Sequence, residues 1–292
     1  MNSFAVALVL FSTFMHAGWN LLARGKGREG TFFLRMLIVS CAAGFVPAVV
    51  SEALTRSIPP DAWFCVVGAG TCCGFYYLFL ARSYASSDFT VVYPLARALP
   101  VLMVGSGDVL RGNLPTAEGW IGMLLVVAGC MFAPLSSFRE ISPRRYWNRT
   151  SLWLVLTALG TFGYTMLDKI ASESVCAGPA TAARYGYFFF LTSLVVYAAG
   201  RRLFETRNNG EKPIGWSIPA LASILNFGAY WLVLWAYQLG RHAGYIVAFR
   251  QFSIVIGVVI AFVLFKEKGR RVRLTGTALI TAGLIFIALW GT

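Results

Sequence analysis

Apolar runs of about twenty residues recur along the whole 292-residue chain, and they are nearly free of charge. A bilayer core about 30 Å thick is crossed by about 20 helical residues. The recurrence therefore means many crossings rather than one anchor. Lipid offers backbone N–H and C=O groups no partner, so each crossing must satisfy its own hydrogen bonds as a helix. Ten spans are expected, at 3–23, 31–51, 62–82, 88–110, 117–136, 150–168, 179–199, 215–237, 242–265 and 273–290. With 58% hydrophobic and 13% charged residues, the chain has too little polar surface to cover a soluble core of its length. No connection between spans is long enough to hold a domain of its own.

The net charge of +13 raises nucleic acid as a partner. The placement of the basic residues argues for a lipid bilayer instead, because they cluster in short loops. Loops after odd-numbered spans carry 17 Lys and Arg, and loops after even-numbered spans carry 4. Such asymmetry fixes orientation, with the odd-numbered loops cytoplasmic and both termini on the other side. The N-terminal run lacks a basic region before it and reads as a first span rather than a cleaved signal. Five of the six cysteines, Cys41, Cys65, Cys72, Cys73 and Cys130, fall in apolar runs, and Cys176 lies in a loop. There is no CxxC, and His occurs only at 16 and 242, so neither a metal nor a cofactor is expected.

Four arginines lie inside spans: Arg35, Arg97, Arg184 and Arg250. A cation in hydrocarbon is costly and normally faces the bundle interior or a wet cavity. They fall into pairs, Arg35 with Arg184 (184 − 35 = 149) and Arg97 with Arg250 (250 − 97 = 153). Glycines match with similar offsets: Gly18 with Gly163, Gly74 with Gly228, Gly122 with Gly276 and Gly129 with Gly283. An ordered series of this kind marks an internal repeat of about half the chain. Each unit holds an odd number of spans, so the second enters the membrane from the opposite side, a plan common among secondary transporters. The fold expected is an all-α integral membrane protein. Its ten helices form two inverted five-helix units, 1–137 and 149–292, around a central cavity. The repeated glycines are expected to let neighbouring helices approach closely.

On several of these features the chain resembles the EamA family of the drug/metabolite transporter superfamily. They are the arginines of spans two and seven, the Tyr-rich third span leading into VYPLARALPVL, and the segment FKEKGRRVRLTGTALITAGLIFI with Glu267. The opening HAGWN, residues 16–20, is similar to a pattern in some members. Asn113 stands where the repeat would place a counterpart of Glu267, a departure that makes this acid a loop or helix-end residue rather than a coupling group. The resemblance implies two EamA-like units in a multi-pass protein of the bacterial inner (cell) membrane. It also implies export of small metabolites such as amino acids, by a monomer or a homodimer.

Arg97 and Arg250 are the first candidates for substrate contact. A guanidinium grips a carboxylate or phosphonate through two parallel hydrogen bonds; the alternative is a structural arginine. Gln251 adjoins Arg250 and is expected in the same cavity. His16, Trp19 and Asn20 are spaced i, i+3, i+4 and share one helical face. His16 is a candidate proton carrier, because its unperturbed pKa lies near neutrality, or else a hydrogen-bonded packing residue. Tyr164 and Asp168 form the corresponding polar face of span six, although Asp168 could equally be a solvated end residue beside Lys169. Tyr76 and Tyr77 of span three match Tyr230 and Trp231 of span eight, with Asn226 one turn earlier, and suggest an aromatic-lined pocket. Arg35 and Arg184 read as interfacial side chains or, with Asp168, as gating or coupling groups. No Walker A, GxSxG or HExxH sequence is present. The leading expectation is a gradient-driven or facilitative carrier of a small polar metabolite, with a proton as the candidate coupling ion if transport is driven. A multidrug or organic-cation exporter is the alternative within the superfamily, and a membrane enzyme or scaffold the alternative outside it.

Overall fold

The computed structural model describes residues 2–23, 29–85, 89–135, 137–138, 149–204, 214–265 and 269–291. The elements are α1 (Ser3–Ala23), α2 (Glu29–Thr55), α3 (Pro60–Ala85), α4 (Phe89–Leu110), α5 (Ala117–Phe132), α6 (Arg149–Ala171), α7 (Pro179–Phe204), α8 (Ser217–Leu239), α9 (Ala243–Arg250), α10 (Phe252–Phe265) and α11 (Arg270–Trp290). Every predicted span falls on helix, the ninth on two helices. Six helical stretches among the described residues are long and apolar enough to cross a membrane: Ser3–Ala23, Gly30–Thr55, Pro60–Ser83, Ser217–Leu239, Ala243–Ile260 and Arg270–Trp290. The helix Ala117–Phe132 is apolar but shorter. This is a multi-pass membrane protein.

The ninth predicted span departs from expectation. It is two helices, with Gln251 between them in a turn. The sequence there holds neither Gly nor Pro, so hydropathy gave no sign of the break. The short α9 is held at its N-terminus by Asp108 of α4, which accepts from the amides of Ala243 (3.2 Å) and Gly244 (2.8 Å). A buried carboxylate thus meets the free N–H groups and the positive dipole end of a helix. At α5 the cap is local: Thr116 Oγ1 accepts from the Gly119 amide at 3.0 Å.

The distribution of side chains is inverted relative to a soluble protein. Phe64 and Leu54 are 80% exposed, whereas Asp108, Asp168, Lys169, Asn226 and Gln251 are buried. An apolar exterior around a polar interior is what a lipid solvent selects.

The most extensive packing joins the first half of the chain to the second: α5 on α11, α3 on α6, α1 on α8 and α3 on α7. At the α5–α11 seam the backbones almost touch. A Cβ placed on Gly129 would lie 2.6 Å from the carbonyl oxygen of Gly276, and one on Gly122 would lie 2.7 Å from that of Gly283. These glycines are there for close approach, as expected. Gly18 faces Leu225 of α8, and Gly163 faces Cys72 of α3, so both also sit where halves meet.

One end of the bundle carries a belt of polar bonds between the halves. Arg184 pairs with Glu52 at 3.2 Å, Arg111 with Glu173 at 2.6 Å, and Arg241 donates to Asn113 at 3.0 Å. Lys169 joins Glu173 at 3.2 Å. Burial pushes the Glu173 carboxyl up, but hydrogen bonds from Arg111 and Lys169 outweigh it and hold the group below its ordinary range. This is the end at which α2 runs into α3. Glu267 and much of the basic clustering at the opposite end lie outside the described residues.

Candidate functional site

A cavity lies among α1, α3, α6, α7, α8 and α9, between the two halves of the chain. From α1 it is lined by Ser12, Thr13, His16 and Trp19, from α3 by Cys73, Tyr76 and Tyr77, and from α6 by Tyr164. Phe189 and Phe190 of α7, Asn226, Ala229, Tyr230 and Val233 of α8 and Arg250 of α9 complete the wall. The space open to water centres is about 30 Å³, enough for about two water molecules. A solute larger than water enters only if the helices part.

The aromatic side chains form a connected layer. The Tyr164 ring meets Tyr76, Phe189 and Tyr230 edge-on at 5.9, 5.9 and 5.8 Å between centroids. Phe189 stacks on Tyr230 at 4.8 Å. Edge-to-face rings hold one another in place and turn some of their negative faces outward. Tyr77 and Asn226 exchange hydrogen bonds at 3.1 and 3.4 Å, joining α3 to α8 within the wall.

Among the described residues, Arg250 is the one charged group in this lining. Its guanidinium lies over the Tyr230 ring, 5.6 Å from the centroid, and hydrogen-bonds the Tyr164 side chain. Tyr76 and Tyr237 are also close enough to act on it electrostatically. Among the described residues no carboxylate forms an ion pair with it. Its surroundings stabilise a cation through ring faces and hydroxyls and leave the countercharge to be supplied.

Arg97 stands outside the lining. Its Nη2 donates to Ser253 Oγ at 3.0 Å, and that hydroxyl donates to the Arg250 carbonyl at 2.9 Å. Arg97 is thereby tied to the helix break. The fields of Arg97 and Arg250 both reach His16. Gln251, at the break, donates from Nε2 to the Val247 carbonyl at 3.0 Å, and its buried Oε1 has no partner among the described residues.

His16 accepts from Trp19 Nε1 on Nδ1 at 3.2 Å, the geometry of a hydrogen-bonded packing histidine. Asn20 donates to the His16 carbonyl at 2.7 Å and is absent from the lining. Of the aromatic quartet, Tyr76, Tyr77 and Tyr230 line the cavity. Trp231 does not: its Nε1 donates to the Pro179 carbonyl at 2.7 Å, fastening α8 to the start of α7.

Asp168 lies in the last turn of α6, beside Lys169 as expected, but it is not solvated. It is 1% exposed, and Tyr185 and Tyr230 both donate to it. Arg184 does not snorkel freely. Besides Glu52 it contacts Ser57 (2.9 Å), Ser51 (2.8 Å) and Thr181 (3.2 Å). Arg35, its expected counterpart, lies instead over the Trp216 ring at 4.7 Å. Sequence reasoning missed Glu52, Tyr185, Phe189 and Ser253, which lie at ordinary positions in apolar runs and acquire their roles only through partners far away in the chain.

A membrane-embedded helical bundle with a polar chamber between its halves has the architecture of a transporter. Residues 3–134 match the model of the EamA-like transporter family, which belongs to the drug/metabolite transporter superfamily. A protein of known crystal structure, 17% identical, superposes with a TM-score of 0.71 over 100% of this chain and 99% of its own, and shows that the fold is shared. No curated protein matches the chain.

Proposed function

We propose that the chain is a secondary transporter of small polar metabolites bearing a carboxylate, of which amino acids are the simplest class. Its ten membrane passes, with α9 and α10 sharing one, are arranged as two inverted five-helix units, 1–137 and 149–292. The pairing of elements supports this plan. If α6 and α8 correspond to α1 and α3, then α1 on α8 and α3 on α6 are equivalent contacts, and α5 on α11 is its own equivalent. The positive-inside count supports odd-numbered loops on the cytoplasmic side, and the family resemblance supports a bacterial inner membrane and export.

The observation that carries the substrate class is Arg250, a cation on the cavity wall with no acidic partner among the described residues. A carboxylate supplies the missing charge, and the ring faces beside it suit an ammonium group on the same molecule. Organic cations are the second reading, favoured by the density of tyrosine and phenylalanine rings around the cavity. Arg250 repels such a ligand.

Efflux from proteoliposomes separates the two. Vesicles preloaded with radiolabelled L-amino acids should lose label faster with the protein than without it, and Arg250→Gln should abolish the difference while Arg250→Lys retains part of it. Release of tetraphenylphosphonium but of no amino acid would establish the second reading.

A further inference from the structure

Asp168 sits just behind the cavity wall, where a carboxylate is expensive. Its Oδ1 accepts from the Tyr185 hydroxyl at 2.8 Å and its other oxygen from the Tyr230 hydroxyl, both uncharged donors. Among the described residues it makes no ion pair. Lys169, next in the chain, directs its ammonium to the Tyr237 carbonyl (3.1 Å) and to Glu173. Arg184, on the same helix as Tyr185, is paired with Glu52. Asp108 of α4 gives both oxygens to the start of α9. From α3 the thiols of Cys65, Cys72 and Cys73 face Asp168, and from α8 so does Tyr237. The cation whose field reaches it is Arg250, over the face of the same Tyr230 ring whose hydroxyl holds the carboxylate.

One tyrosine therefore touches both an acid and a cation, neither of them in an ion pair among the described residues. We infer that Asp168 is a proton-binding site linked through Tyr230 to anion binding at Arg250. With Arg250 unengaged, its charge stabilises the Asp168 carboxylate. When a carboxylate ligand engages Arg250, two anions share one cation, and Asp168 takes up a proton from water. The ligand then crosses with one proton bound beside it. The inference rests on reading Arg250 as the anion site.

The test is an infrared pH titration of the full chain in lipid nanodiscs, following the protonated carboxyl band that Asp168→Asn removes and Asp168→Glu displaces. Should Asp168→Asn fail to fold, the displaced band of Asp168→Glu makes the assignment. The midpoint of that band should rise by at least about one pH unit in Arg250→Gln, since an opposite charge nearby is lost. It should return to the wild-type value in Arg250→Lys. Acetate, used as the probe anion, should raise the midpoint in wild type and leave it unmoved in Arg250→Gln. An unchanged midpoint in Arg250→Gln, or a carboxyl that never changes state, overturns the linkage. A shift in Arg250→Gln with none from acetate overturns the anion site instead, so the two failures are told apart.

Discussion

The two matched arginines do different work despite equivalent places in the repeat. Arg250 presents its charge to the cavity, whereas Arg97 spends a hydrogen bond on Ser253 and through it on the Arg250 carbonyl. Arg97→Gln is therefore expected to slow amino-acid efflux less than Arg250→Gln and to lower the thermal midpoint, since a charged hydrogen bond worth about 1.5–3 kcal/mol is lost. Fluorescence-detected unfolding in detergent, run beside the efflux assay, checks both halves. The sequence revealed these arginines because charge inside an apolar run is conspicuous. It did not reveal which one meets the cavity, because that depends on Ser253, 156 positions away from Arg97. For Asp168 the sequence left open a polar-face residue or a solvated end residue beside Lys169; its burial comes from Tyr185 and Tyr230, brought in by α7 and α8.

Helix positions were legible to within about five residues, because lipid turns hydropathy directly into helical span. The break between α9 and α10 was not, since the hydrogen bonds that settle it come from other elements. Asp108 is the clearest of these. Asp108→Asn keeps the shape but removes the charge at the α9 N-terminus, and should cost about 0.5–2 kcal/mol of stability in the same unfolding assay. The α5–α11 seam makes a harder demand. Gly129→Leu places side-chain atoms where the Gly276 carbonyl already stands and should prevent a monodisperse fold, read by size-exclusion chromatography. The ion pairs at the α2–α3 end are weaker. Glu173 is part-exposed, and Glu173→Gln should cost about 0.2–1 kcal/mol. Its folded pKa lies below the ordinary 4.5, so its contribution is present above that value and fades as pH falls through the folded one. The difference in thermal midpoint between wild type and Glu173→Gln should accordingly vanish in acid.

The two halves do not stand side by side as separate domains; they interlock, and every wall of the chamber needs both. Sequence offsets alone led to the expectation of two similar units. They could not foresee that α3 would press on α6 and α7 while α1 pressed on α8, because partners across an interface leave no mark on hydropathy. At about 30 Å³ the chamber is closed around water-sized contents, and the polar belt at the α2–α3 end ties the halves together there. Passage of a solute requires that belt and the opposite end to open in turn. Cys73 reports on this directly, since its thiol lines the cavity and is 4% exposed. In a chain whose other cysteines are replaced by serine, a membrane-impermeant maleimide should modify Cys73 during turnover when added on either face of the vesicle. A transported amino acid at saturation should slow the reaction. A Cys73 that is never modified from one face, while amino acids still cross, would contradict a path through this chamber.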